Sequence, residues 1–154
     1  MNNTLILGFG NPLLSDDGIG TRIVNDLKTK MDNNLFEFSS AYICGIDIIT
    51  IIKGYKNMIV VDGCMTQNST PGELSFYTVD NYYGMAHLDN YHDVKFRDII
   101  KLSRDLNLHI PENIHIVAIE IKEDMVFSKD LSPSLQNSYP EILQKVLDFI
   151  NQLS

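Results

Sequence analysis

Asp16 and Asp17 stand side by side in GFGNPLLSDDGIG, residues 8–20, between an apolar run and a stretch with helical spacing. A glycine-rich turn from a strand into a helix suits a phosphate, because the helix N-terminus offers free N–H groups and the positive end of its dipole. The two carboxylates argue against a phosphate here. Unit charges about 4 Å apart repel by roughly 4 kcal/mol at an effective dielectric near 20. The dinucleotide signature G-x-G-x-x-G also fails, since Gly8 and Gly10 fit but Leu13 holds the third glycine's place. No G-K-[ST] follows, so a phosphate loop of that kind is absent too. One aspartate is accounted for as a helix cap, a part that suits Asp16. Asp17 is then a surplus charge, which makes sense where a cation comes.

Asp62 adds a further carboxylate at the end of the apolar run MIVV. An ionised group there needs hydrogen bonds, a solvated cleft or a cation. Two carboxylates suit an acid/base pair or a hard metal, and an added imidazole moves the preference toward nickel, zinc, iron or copper. His92 stands just before Asp93, which can cap the following helix and leave the imidazole to the crevice. His87, in the same loop, is the second candidate. His109 and His115 flank IPENI and read as surface residues. Cys64 reads as a small buried filler rather than a soft ligand. No H-E-x-x-H helix and no Ser-His-Asp or Cys-His signature occurs. Asp17 and Asp62 with one of the loop histidines, His92 or His87, make a metal-type Asp/Asp/His constellation for which spacing alone names no reaction.

The elements that must position these residues alternate along the chain. Thr4 to Phe9 reads as a buried strand, and residues 19–31 as a helix with Ile19, Ile23, Leu27 and Met31 on one face. LFEFSSAY (35–42) reads as a second strand, GIDIITIIKG (45–54) as a short helix and NMIVVDG (57–63) as a third, buried strand. After a Pro-Gly turn, ELSFYTV (73–79) alternates and reads as an antiparallel edge strand. Residues 80–92 read as a loop, 93–107 as an amphipathic helix and NIHIVAIEI (113–121) as a strand. Ser132 and Pro133 open a last helix in which Pro140 is expected to kink the chain or split off the first turns. The order β-α-β-α-β-β-α-β-α implies a mostly parallel sheet covered on both faces by helices. Ligands of such sheets bind outside the carboxyl ends of the strands, which puts Asp17 and Asp62 in one crevice if strands 1 and 3 are neighbours.

The 154 residues fit one domain, 1–154, with 44% hydrophobic and 21% charged residues. A formal net charge of −8 argues against nucleic acid and against an anionic membrane surface. MNNTLILGFG has no basic n-region and only a short apolar run, and no stretch approaches ~20 apolar residues. A cytoplasmic protein with two reduced cysteines, Cys44 and Cys64, is expected.

Taken together, LILGFGNPLLSDDGIG, VVDGCMTQNSTPGEL, YHDVKFRDIIKLSRDL and LSPSLQNSYPEIL resemble the hydrogenase maturation proteases over nearly the whole chain. The resemblance implies a three-layer α/β/α domain with a mixed five-stranded sheet. It implies an endopeptidase that removes the C-terminal extension of a nickel-iron hydrogenase large-subunit precursor after nickel insertion. It also implies that Asp17, Asp62 and His92 are the catalytic and metal-recognising residues. Nickel would come with the precursor, no permanent metal is expected, and a monomer is expected. Two stretches depart from the family: AIEI (118–121) stands where members often read Gly-Ile-Gln-Pro, and Tyr91 precedes His92 where smaller residues are common. The alternatives are a non-enzymatic nickel-dependent binder or chaperone of the precursor, another metal-assisted hydrolase on the same scaffold, and a nucleotide-binding module.

Overall fold

The computed structural model describes residues 3–42, 45–66, 69–82, 95–122 and 125–154. β1 (Thr4–Phe9), β2 (Phe36–Ala41), β3 (Asn57–Cys64), β4 (Leu74–Thr78) and β5 (Asn113–Glu120) form one sheet in the order β2-β1-β3-β5-β4. All neighbours are parallel except β4, which runs antiparallel to β5 at the edge. β1 and β3 are adjacent, pairing from Thr4–Asn57 to Gly8–Val61. The central strands are apolar on both faces because helices cover both, whereas edge strand β4 alternates between half-buried and exposed residues.

Alternation along the strands builds two cores. Ile6, Ile59, Val61, Val117 and Ile119 face α1 (Ile19–Lys30) and α4 (Pro133–Leu153). Leu5, Leu7, Phe9, Met58, Val60 and Ile116 face α2 (Ile48–Ile52) and α3 (Phe96–Asp105). The three-layer arrangement follows from those two apolar faces.

Two expectations change. The helix expected at 93–107 is described from Phe96 to Asp105; residues 93 and 94 lie outside the described residues, and Leu106 is exposed past the helix end. α4 is not split at Pro140 but runs unbroken over 21 residues. Pro140 lacks the N–H that would reach the Gln136 carbonyl, but both residues are on the exposed side. Buried Leu135 before the proline and Ile142, Val146 and Ile150 after it hold the helix on the sheet. Among the described residues no helix is long and apolar enough to cross a membrane.

Candidate active site at the carboxyl ends of β1 and β3

The turn after β1 is folded back on itself. Gly10 has φ 124°, and a Cβ there would lie 1.8 Å from the Asp17 carbonyl oxygen, so only glycine fits. Ser15 is also left-handed, with φ 51°. It is held by hydrogen bonds from its N–H to the Ser128 carbonyl (2.8 Å) and from the Ser128 N–H to the Leu13 carbonyl (2.9 Å). The chain then makes a 3₁₀ turn, Ser15–Gly18, and enters α1. Gly20 brings α1 onto the strands: a Cβ there would lie 2.3 Å from the Val61 carbonyl oxygen and 2.4 Å from that of Phe9. The aspartate pair is thereby fixed at the carboxyl ends of β1 and β3.

The two aspartates have different surroundings. Asp16 is fully buried and does not cap its own helix, whose N-cap is Gly18 with no side-chain bond. Its Oδ1 accepts from the Ser132 N–H at 2.6 Å, and its Oδ2 from the Ser132 hydroxyl at 2.7 Å and the Lys122 N–H at 3.1 Å. The capping role read from the sequence is thus replaced by a tertiary one. Ser132 is the N-cap of α4 as expected, yet its hydroxyl is given to Asp16. Asp17 is buried as well, and its Oδ2 accepts from the Asn11 N–H at 2.7 Å.

Asp62 is fully buried, one residue past the last β1–β3 pair. It shares the α2/α3 face of the sheet with Val60 and Met58, two and four residues back. Opposite it in register on β5 is Ala118, and one side-chain step further Cys64 faces Glu120. Cys64 is buried and its thiol is pushed up to about 12, first by burial and then by Glu120 and Asp62. It stays a neutral thiol near neutral pH and donates to Glu120 Oε2 at 3.5 Å. A cysteine nucleophile needs the opposite environment.

His92 and His87 lie outside the described residues. The chain is described again from Lys95, and Phe96 packs edge-on against Phe9, ring centroids 6.4 Å apart. The start of α3 is therefore at the same end of the sheet as Asp17 and Asp62. His109 is exposed, as read from the sequence, while His115 is half-buried on β5 with its ring 6.0 Å from that of Phe149. Among the described residues no three His, Cys, Asp or Glu side chains converge closely enough to hold a metal ion. A pocket of about 720 Å³ along the end of β4 and α3, lined by Val79, Tyr82 and Arg104 among others, contains neither aspartate.

Glu120, in the AIEI stretch that departs from the family, neighbours the site without having been read as one of its acids, although its sequence signal is the one that marked Asp62: an acid closing an apolar strand. It is buried, and it accepts from the Thr66 N–H at 2.7 Å and the Thr66 hydroxyl at 2.9 Å.

The mostly parallel five-stranded α/β/α sheet carries two buried carboxylates, Asp62 near the end of β3 and Asp17 in the turn after β1, at the end of the sheet where ligands of such folds bind. The chain belongs to the hydrogenase maturation protease family, whose HycI sequence model matches residues 21–149, and it is on that ground an endopeptidase. It is 22% identical over 145 residues to the hydrogenase 2 maturation protease of Escherichia coli, covering 93% of this chain and 87% of that protein. The hydrogenase maturating endopeptidase HybD of E. coli has the same fold, with a TM-score of 0.77 at 20% identity over 100% of this chain and 94% of that one. So does the [NiFe] hydrogenase maturation protease HycI of Thermococcus kodakarensis, with a TM-score of 0.75 at 14% identity over 97% and 93%.

Proposed function

We propose that the protein removes the C-terminal extension of a nickel-iron hydrogenase large-subunit precursor once nickel has been inserted. The observation that carries this reading is the burial of Asp17 and Asp62 at the carboxyl ends of adjacent strands, in a chain of this family. Nickel is part of the substrate in this reading. Asp17 and Asp62 recognise it, with His92 as the third group. The donor set, two carboxylates with one imidazole, is of a kind that binds such an ion. The ion polarises the scissile carbonyl or activates a water, and one of the two aspartates takes the water's proton. Burial and the neighbouring Glu120 and Asp62 push the Cys64 thiol up, which disfavours it as a nucleophile, and water is the nucleophile in this reading.

The test is to incubate the protein with nickel-loaded and nickel-free precursor and follow the mass of the large subunit. Loss of a short C-terminal tail only from the nickel-loaded form is expected. Asp17→Ala, Asp62→Ala and His92→Ala should each lower the rate by about 100-fold or more, in the range of a lost general base. Binding without cleavage would favour a chaperone-like role instead. Normal cleavage by all three variants would remove the site assignment.

A further inference from the structure

β3 ends at Cys64 and β4 begins at Leu74, and Glu120 of β5 meets the described residues that follow the one and precede the other. Its Oε1 accepts from the Thr66 N–H at 2.7 Å; its Oε2 accepts from the Thr66 hydroxyl at 2.9 Å and the Cys64 thiol at 3.5 Å. Its backbone completes the grip. The Glu120 carbonyl accepts from the Gly72 N–H at 2.8 Å, and its N–H donates to the Glu73 carbonyl at 2.9 Å. The next residue, Ile121, donates to the Cys64 carbonyl at 2.9 Å.

Strand pairing alone requires none of the side-chain contacts. β5 is apolar from Ile116 to Ile119, and another apolar residue at position 120 would continue the pattern. A buried carboxylate is costly unless its acceptors are filled. All three donors to its carboxylate, the Thr66 backbone N–H, the Thr66 hydroxyl and the Cys64 thiol, come from the exit of β3. Asp62 lies on that strand two residues before Cys64, on the same face of the sheet. Both Glu120 oxygens face protein donors, so it is placed to hold the strand rather than to act on a substrate.

We propose that Glu120 is a positioning residue for the hydrolysis: by gripping Thr66 and Cys64 it fixes the end of β3, and with it the place of the Asp62 carboxylate relative to the scissile bond. This rests on the reading of Asp62 as part of the cleavage machinery.

The experiment measures kcat and KM separately on nickel-loaded precursor, well below the Tm of each variant. Glu120→Ala should lower kcat by about 10- to 100-fold, the scale of an ångström-sized misplacement, with KM unchanged. Glu120→Gln should restore most of kcat, because the amide oxygen still accepts from the Thr66 N–H and the amide nitrogen donates to the Thr66 hydroxyl. Thr66→Ala removes one of the three side-chain bonds and should give a smaller loss that does not add to that of Glu120→Ala. Folded Glu120→Ala with wild-type kcat would overturn the proposal. So would a Glu120→Gln variant as slow as Glu120→Ala, which would point to the charge and not the grip. If Glu120→Ala does not fold, Thr66→Ala decides, and an unchanged kcat there overturns the proposal. Wild-type protein that cleaves nothing would remove the functional reading together with this one, whereas a wild-type rate in Glu120→Ala would remove this one alone.

Discussion

Asp16 and Asp17 are neighbours in sequence whose oxygens meet different donors. Asp16 joins the turn after β1 to the segment after β5 and to the N-cap of α4, through Lys122 and Ser132. Removing it strands two backbone N–H groups and a hydroxyl. Hydrogen bonds to a charged acceptor are worth about 1.5–3 kcal/mol each, and partial rehydration offsets some of the loss. Asp16→Ala should therefore destabilise the fold by about 3 kcal/mol and lower Tm by roughly 6–12 °C. Asp17→Asn keeps an acceptor for the Asn11 N–H, so its melting curve should change little while its cleavage is lost. Thermal melts paired with precursor cleavage check both. An Asp16 variant that melts like wild type, or an Asp17 variant that cuts like it, would reverse the assignment of the two roles. The sequence separates the pair only in part. Capping is a local signal, read within a few residues, and the true partner of Asp16 lies 116 positions away.

At the scale of elements, apolar runs and turn residues place every strand. β1 falls at Thr4–Phe9 and β5 at Asn113–Glu120, because strands buried on both faces read as short apolar runs. The adjacency of β1 and β3, on which the crevice depends, is left open by the order of elements and is set by the sheet order β2-β1-β3-β5-β4. What the pattern does not reveal is how closely α1 must approach the sheet. Gly20 supplies that approach, and the atoms its Cβ would meet are backbone oxygens of Val61 and Phe9, which cannot turn aside. Gly20→Ala should gain helix propensity yet destabilise the protein by about 1–3 kcal/mol, because overpacking prevails. It should also slow cleavage, since α1 carries the 3₁₀ turn and Asp17 with it. Urea unfolding and cleavage measured on the same preparation test this. A variant more stable than wild type would mean that the helix stands further off than the backbone contacts require. The continuity of α4 through Pro140 was likewise beyond the local rule, because the buried residues on either side of the proline override it.

The whole molecule carries a net charge of −8, so it already resists further ionisation, and two buried groups make that resistance measurable. The Cys64 thiol is pushed up to about 12, by burial first and then by Glu120 and Asp62. The Tyr139 phenol is pushed above its ordinary value by burial first, then by its bond to Asp26, with Arg22 opposing. Both are groups whose folded pKa exceeds the unfolded one. The folded state therefore keeps its protons longer, and unfolding releases them. The thiol's contribution is fully present below pH 9 and is lost as pH rises toward about 12, while the phenol's is fully present below pH 10 and is lost above it. Each group contributes a slope of at most about 1.4 kcal/mol per pH unit in that window. The urea midpoint should accordingly be flat across neutral pH and fall steeply in the alkaline range. Cys64→Ala and Tyr139→Phe should each reduce the steepness, and the double variant should reduce it most, since the two groups belong to opposite faces of the sheet and should act independently. A double variant that loses stability with pH as steeply as wild type would show that neither buried proton governs the alkaline limit, and that general charge repulsion does.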